Sequence, residues 1–399
     1  MALHPRAVQE VGALYSEELE LALKAIEEQR FEDAVTILER LTEANPDNPE
    51  AFVYLGLAYL QAEKPHQAIE VLLEAEDSVE DHCVIAQFLG RAYKAIKEYS
   101  PAEFYLRKAI TLDPDIYEAW LDLGEVLYFT RQYGEAARVL EDAVFRFPED
   151  PALHSIRAMS LYRLGDYTEA AREWGAVSTL RPESIVALTN YAYLLLFLGM
   201  VDEAEPVVRK ARVKFPDSYR AIMLEGELRF QRGEYQAAQA YFRRALSICS
   251  DSVEALSRLA VIAHRLGNSS QADEYLATAK KIVEADPPTW QRLCNAHVDL
   301  ERFDEHLECL NEIVQQDRHS SAAWIALAVE YTRRGRLDEA KSAWRMSIQL
   351  RGYIKVFCPR CGVHVRIPHL EPCDVDLDGT VQCVYCCTSL PLPDSLSRV

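Results

Sequence analysis

Residues 117–150 read YEAWLDLGEVLYFTRQYGEAARVLEDAVFRFPED. Trp120, Leu123 and Leu127 recur at helical spacing in the first half, and Ala136, Leu140 and Ala143 in the second. A polar break at 130–132 separates the halves and Pro148 closes the stretch. It therefore spells two amphipathic helices joined by a short turn. The same 34-residue unit recurs ten times without insertion or loss, from Tyr15 to Ile354. Its eighth position is small in every copy: Ala22, Gly56, Gly90, Gly124, Ala158, Ala192, Gly226, Ala260, Cys294 and Ala328. Twelve residues later come Ala34, Ala68, Ala102, Ala136, Ala170, Ala204, Ala238, Ala272, His306 and Ala340. Small residues paired in this way are expected where two helices cross closely. A single helix pair cannot bury its own apolar faces, so ten pairs in phase must stack into a solenoid.

The units begin at Tyr15, Pro49, Cys83, Tyr117, Pro151, Ile185, Tyr219, Val253, Pro287 and Ser321. Within each, the first helix is expected at about positions 2–14 and the second at about 18–31. Pro65, Pro101 and Pro206 should then fall in the turn or first turn of a second helix, where a missing amide hydrogen costs little.

The pattern resembles the tetratricopeptide repeat. Trp120, Leu123, Gly124, Leu127, Ala136, Leu140, Ala143 and Pro148 carry the resemblance in the fourth unit. Leu89, Gly90, Tyr93, Ala102, Leu106, Ala109 and Pro114 carry it in the third. It implies an all-α solenoid superhelix of antiparallel helix pairs over residues 15–354, with residues 1–14 as a lead-in cap and residues 355–399 as a separate tail. It also implies that the first helices line an inner groove at positions 2, 5, 6, 9, 12 and 13. Those positions hold Tyr54, Phe88, Tyr128, Phe129, Tyr162, Tyr193, Phe197 and Phe230. Aromatic rings on such a wall suit the anchoring of an extended peptide or a helix, although any one ring can equally pack between adjacent repeats. Charge along the wall changes sign, from Glu118, Asp122 and Glu125 to Arg258, Arg265, Arg292 and Arg333. The family's Lys/Asn clamp for chaperone C-terminal carboxylates is absent, and the groove offers only Asn190 and Asn295 rather than an asparagine ladder.

The net charge is −20, and residues 1–100 carry 8 Lys/Arg against 20 Asp/Glu. Such a chain repels nucleic acid and anionic membrane at long range. Met1 to Leu14 has no apolar core of signal-peptide length. Ser184 to Val201 is uncharged for 18 residues, but it holds Thr189, Asn190, Tyr191 and Tyr193 and is in phase as a first helix. It is therefore read as part of the sixth repeat and not as a membrane span. Ten cysteines without a secretory signal point to a reducing, cytoplasmic setting.

The tail carries its own chemistry. Cys358-Pro-Arg-Cys361 is followed by Cys383-Val-Tyr-Cys386. Two Cys two residues apart sit on one tight turn, and two such turns supply four thiolates for tetrahedral Zn²⁺. Val363 to Ile367 alternates like a strand, and Gly379 to Cys383 reads as a return strand. The tail thus looks like a β-type zinc ribbon holding one structural Zn²⁺ through Cys358, Cys361, Cys383 and Cys386, with Cys373, Cys387, His364 and His369 as spare donors. It is expected to dock on the last repeat, since only Lys355, Val356 and Phe357 intervene.

The ninth repeat departs from the pattern at Cys294, His306, Ile313 and Arg318 together. Cys294 and His297 are three apart on one helix, and His306 and Cys309 are three apart on the next. One reading is a degenerate repeat with a hydrogen-bonded core histidine and small apolar cysteines. The sharper reading is a Cys₂His₂ cage between two helices. No nucleophile–base pair, phosphate loop or open metal position is apparent, so no enzyme is expected. The favoured function is a scaffold holding a protein or peptide segment in the groove. The alternative is an assembly module whose ribbon touches nucleic acid, against which stand the tail's own scattered basic residues, Lys355, Arg360, Arg366 and Arg398.

Overall fold

The computed structural model describes residues 17–45, 49–78, 82–285 and 290–351, together with strand residues 353–358, 363–368, 380–382 and 389–391. Among these lie twenty helices in ten pairs. The first five pairs are α1 (residues 17–27) and α2 (Phe31–Ala44), α3 (Pro49–Gln61) and α4 (Pro65–Ser78), α5 (Cys83–Ala95) and α6 (Tyr99–Leu112), α7 (Tyr117–Phe129) and α8 (Tyr133–Arg146), and α9 (Pro151–Leu164) and α10 (Tyr167–Leu180). The others are α11 (Ile185–Phe197) and α12 (Val201–Lys214), α13 (Tyr219–Gln231) and α14 (Tyr235–Ile248), α15 (Val253–Arg265) and α16 (Ser269–Ala285), α17 (Trp290–Asp299) and α18 (Phe303–Gln316), and α19 (Ser321–Arg333) and α20 (Leu337–Arg351). Most first helices occupy positions 1–13 and most second helices 17–30, one residue earlier than the periodicity suggested. Pro206 is a correction. It is the sixth residue of α12, inside the helix and past the first turn. The carbonyl of Asp202 therefore loses its usual donor.

Each hairpin turns on position 15, which has positive φ in all ten repeats. Gly165, Gly199, Gly233, Gly267 and Gly335 take it in five, and Gln29, Glu63, Lys97, Arg131 and Glu301 in the others. The next amide bonds back to the carbonyl five residues earlier, as in Lys64 N to Tyr59 O at 2.8 Å and Asn268 N to Ala263 O at 2.8 Å. This left-handed stop satisfies the last carbonyls of the first helix and reverses the chain in three residues. Position 34 starts the following helix. Asp150 accepts from the amides of Ala152 and Leu153, and Ser184, Ser252 and Ser320 each cap in the same place.

The close crossing is built differently from the expectation of small against small. A Cβ placed on Gly56, Gly90, Gly124 or Gly226 would lie 2.5–2.8 Å from the side chain of Leu72, Leu106, Leu140 or Phe242. Position 8 is therefore small because a large residue at position 24 of the partner helix fills the space above it. Leu38, Leu276, Leu310, Trp174, Val208 and Trp344 occupy position 24 elsewhere, and all are buried. This knob in a socket is the recurrent core of the repeat.

The chain divides into two compact units. Unit one comprises residues up to Thr130 with Val139–Pro148, and unit two comprises Arg131–Arg138 with everything from Glu149. In the tail, β1 (Tyr353–Cys358) pairs antiparallel with β2 (Val363–Pro368), and β3 (Thr380–Gln382) with β4 (Ser389–Pro391). β1 follows α20 almost directly and lies against it. The lead-in, residues 1–14, is outside the described residues. No helix among the described residues is long and apolar enough to cross a membrane. The uncharged stretch forms the short helix α11.

Candidate functional site

The eight aromatics expected on the first-helix face divide between the units. In unit one, Tyr54, Phe88 and Tyr128 are half-buried, while Phe129 is 58% exposed. Phe129 stacks on Tyr99 with ring centroids 6.3 Å apart and meets the edge of Tyr128. The neighbouring acidic side chains are already engaged. Lys94, from α5, bonds Asp122 and lies 2.7 Å from Glu125, both on α7. Burial pushes the Asp122 carboxyl up, against the pull of the Lys94 ammonium. Of the acidic trio, Glu118 remains exposed. On the outer side, Ile110, Pro114, Trp120, Asp142, Phe145 and Arg146 line a hollow of about 450 Å³. Phe145 stands 89% exposed there.

In unit two the rings form a cluster. Tyr162 contacts Tyr167 and Tyr193, with centroids 5.4 and 6.5 Å apart. Phe197 meets Tyr167 at 4.6 Å and Tyr193 at 6.2 Å. Burial pushes the hydroxyls of Tyr167 and Tyr193 far above the ordinary phenol range, so both are neutral donors. Phe197 keeps 45% of its surface open and Val186, on the same helix, 48%. Phe230 packs against Tyr235 at 5.7 Å and lies under the Arg258 guanidinium at 5.4 Å. Arg258 is held by Glu227 at 2.8 Å and Asp299 at 2.7 Å, so it belongs to an internal network. Arg265 and Arg333 are exposed.

Sequence reasoning missed Tyr99, Tyr167 and Tyr235, which open second helices yet supply four of these seven ring pairs. The signal was available: they share position 17 of the repeat with Tyr133. It also missed a contact inside unit two. Asp166, in the turn of repeat five, bonds Arg351 at the end of α20, and both are buried. Around them Arg131 bonds Asp317 at 2.8 Å, and a Cβ on Gly165 would come within 3.4 Å of Ala322.

In repeat nine, Cys294, His297, His306 and Cys309 are all buried; Cys294 Sγ lies 3.3 Å from His306 Nδ1, and among the described residues no three of the four converge on one point. Burial lowers the His306 pKa, which keeps its ring neutral. The hydrogen bond with Cys294 lowers the Cys309 thiol pKa, against the effect of its burial. Of the tail ligands, Cys358 ends β1, while Cys361, Cys383 and Cys386 lie outside the described residues. Among the described residues, the cysteines at 83, 249, 294 and 309 are in no disulfide.

Tetratricopeptide-repeat profiles match residues 19–81, 85–116, 121–184, 192–253, 229–296 and 321–346. The chain is 20% identical over 352 residues to human "Superkiller complex protein 3", covering 83% of this chain and 22% of that protein. It is 25% identical over 223 residues to "Anaphase-promoting complex subunit 3" of Schizosaccharomyces pombe, covering 54% and 33% respectively. It thus spans about a fifth to a third of the length of these relatives. A solved structure of Pseudomonas aeruginosa pilF aligns at a TM-score of 0.46 and 19% identity, over 53% of this chain and 97% of that one. Profiles that match repeat after repeat, on helix pairs in the same register, place this chain in the tetratricopeptide repeat family.

Proposed function

We propose that the protein is a non-enzymatic scaffold that holds a segment of a protein partner on the first-helix face of unit two. The observation carrying this is the ring cluster of Tyr162, Tyr167, Tyr193 and Phe197, in which Phe197 is packed on two rings and keeps 45% of its surface open. An apolar opening backed by rigid aromatics is the usual anchor of a partner residue. Two of the relatives are by name members of a complex, which agrees with an assembly role. A reducing cytoplasmic setting belongs to the same reading and rests on the thiol usage.

Partner capture by Phe197→Ala, measured by pull-down with mass spectrometry and then by titration of the captured partner, tests this. Affinity should fall by roughly thirtyfold, about 2 kcal/mol, as for a central anchor. Phe145→Ser, in unit one, should leave it unchanged. Equal capture by the wild-type and Phe197→Ala chains, both fully helical, would remove the proposal.

The tail is proposed to hold one structural Zn²⁺ through Cys358, Cys361, Cys383 and Cys386. The donor set fits, being four thiolates in two Cys-x-x-Cys turns, and it leaves no open position for catalysis. Supporting this, β1–β2 and β3–β4 each bracket one of the two turns. Cys383→Ser with Cys386→Ser should lower zinc content by one atom per chain and leave the helical signal unchanged. Unaltered zinc in that variant would refute the assignment.

A further inference from the structure

Repeat nine differs from its sisters at the two positions that face each other inside its hairpin. Position 8 is Gly or Ala in the other repeats and Cys294 here, and position 20 is Ala in the others and His306 here. One turn further along each helix, α17 adds His297 and α18 adds Cys309. Each of the four is less than a tenth exposed. Cys294 Sγ lies 3.3 Å from His306 Nδ1. The Cys309 thiol is hydrogen-bonded to Cys294 and to His297. His297 Nδ1 is buried and has no hydrogen-bond partner. A buried imidazole nitrogen left in that state is costly, and a ligand would complete it.

We infer that Cys294, His297, His306 and Cys309 form a second, buried Zn²⁺ site between α17 and α18. Two pairs of donors, each three residues apart, lie on the two antiparallel helices of one hairpin, and two thiolates with two imidazoles make a closed tetrahedral set. In such a set a sulfur and a nitrogen are roughly 3.5 Å apart, given the usual Zn–S and Zn–N lengths. The separation of Cys294 and His306 already matches that edge. Among the described residues no three donors yet converge on a common centre. His306 Nδ1 also lies 3.1 Å from the Cys294 carbonyl oxygen, and Cys294, His297 and Cys309 do not converge without it. Loading therefore requires His297 on α17 and Cys309 on α18 to change rotamer about the Cys294–His306 pair. Four protein ligands leave no open position, so the ion would be structural. It would tie α17 to α18 in the one repeat whose small residues at positions 8 and 20 are both replaced.

The test compares zinc per chain, by elemental analysis of protein purified under reducing conditions, in the wild type and in Cys294→Ala with His306→Ala. That variant carries the residues used at these positions in sister repeats, so its fold is retained. Cys309→Ser serves as a second, isosteric variant. Both should hold one zinc atom fewer than the wild type. After loading with Co²⁺, both should lack the visible absorption of a mixed sulfur–nitrogen tetrahedral site. Cys383→Ser with Cys386→Ser leaves this difference intact, which separates the site from the tail. Equal zinc content in the wild type and both variants overturns the inference. So does a Cys294–Cys309 disulfide mapped in protein purified from cells without added reductant, because the pair would then be a redox couple.

Discussion

Arg351→Ala is expected to destabilise unit two by about 3–5 kcal/mol, because it strips a buried carboxylate of its cation. Asp166 and Arg351 are 1% and 5% exposed at their side chains and 185 residues apart in sequence. In a solenoid whose repeats touch only their neighbours, a change at the end of the last repeat acts locally. Here it acts across five repeats. Arg131 and Arg163 both reach Asp317, and Gly134 has no room for a Cβ because the carbonyls of Leu350 and Arg351 lie 2.8 Å from where it would be. Hydrogen exchange should therefore quicken in α9 and α10 as well as in α20. Asp166→Leu with Arg351→Met removes both charges and should recover most of the loss, since paired apolar replacement of a buried ion pair is often near neutral. Exchange changed only in α20 would show that the contact carries no coupling.

That contact could not be read from the sequence. A periodic reading assigns each residue to its own repeat and its neighbours, and nothing in Gly165-Asp166 or Leu350-Arg351 names a partner five repeats away. The repeat itself was legible because its constraint is local. Position 8 must be small, position 15 must turn left-handed and position 34 must cap, and each requirement selects a residue type every 34 residues. The cause assigned to position 8 was incomplete. Composition shows which residues are small but does not show that Leu72 or Phe242 fills the gap. The aromatic face was half legible. First-helix positions gave Tyr162, Tyr193 and Phe197, while Tyr167, at position 17, falls just ahead of the span expected for the second helix. Yet its ring makes the shortest contact of the cluster. The charges misled for a simpler reason. Asp122 and Arg258 read as free groove charges, but ion pairs are set by three-dimensional neighbours such as Lys94 and Asp299.

Phe242→Ala should cost about 3–5 kcal/mol, the range for emptying a wholly buried aromatic site. Phe242 is the largest fully buried side chain among the described residues, and it sits over Gly226. The companion experiment reverses the mismatch. In Gly226→Ala the new methyl would stand 2.8 Å from Phe242 Cε1, so the ring must shift. Overpacking of this kind costs about 1–3 kcal/mol, which exceeds the gain in helix propensity of about 1 kcal/mol. Gly226→Ala with Phe242→Leu should then be more stable than either Gly226→Ala or Phe242→Ala. It recreates the Ala-over-Leu pair that repeats one and eight use at Ala22 with Leu38 and Ala260 with Leu276. Chemical denaturation of the set reads this directly. With Phe242→Leu alone added to close the double-mutant cycle, zero coupling energy between Gly226→Ala and Phe242→Leu would mean that positions 8 and 24 are merely both buried and do not set each other's size.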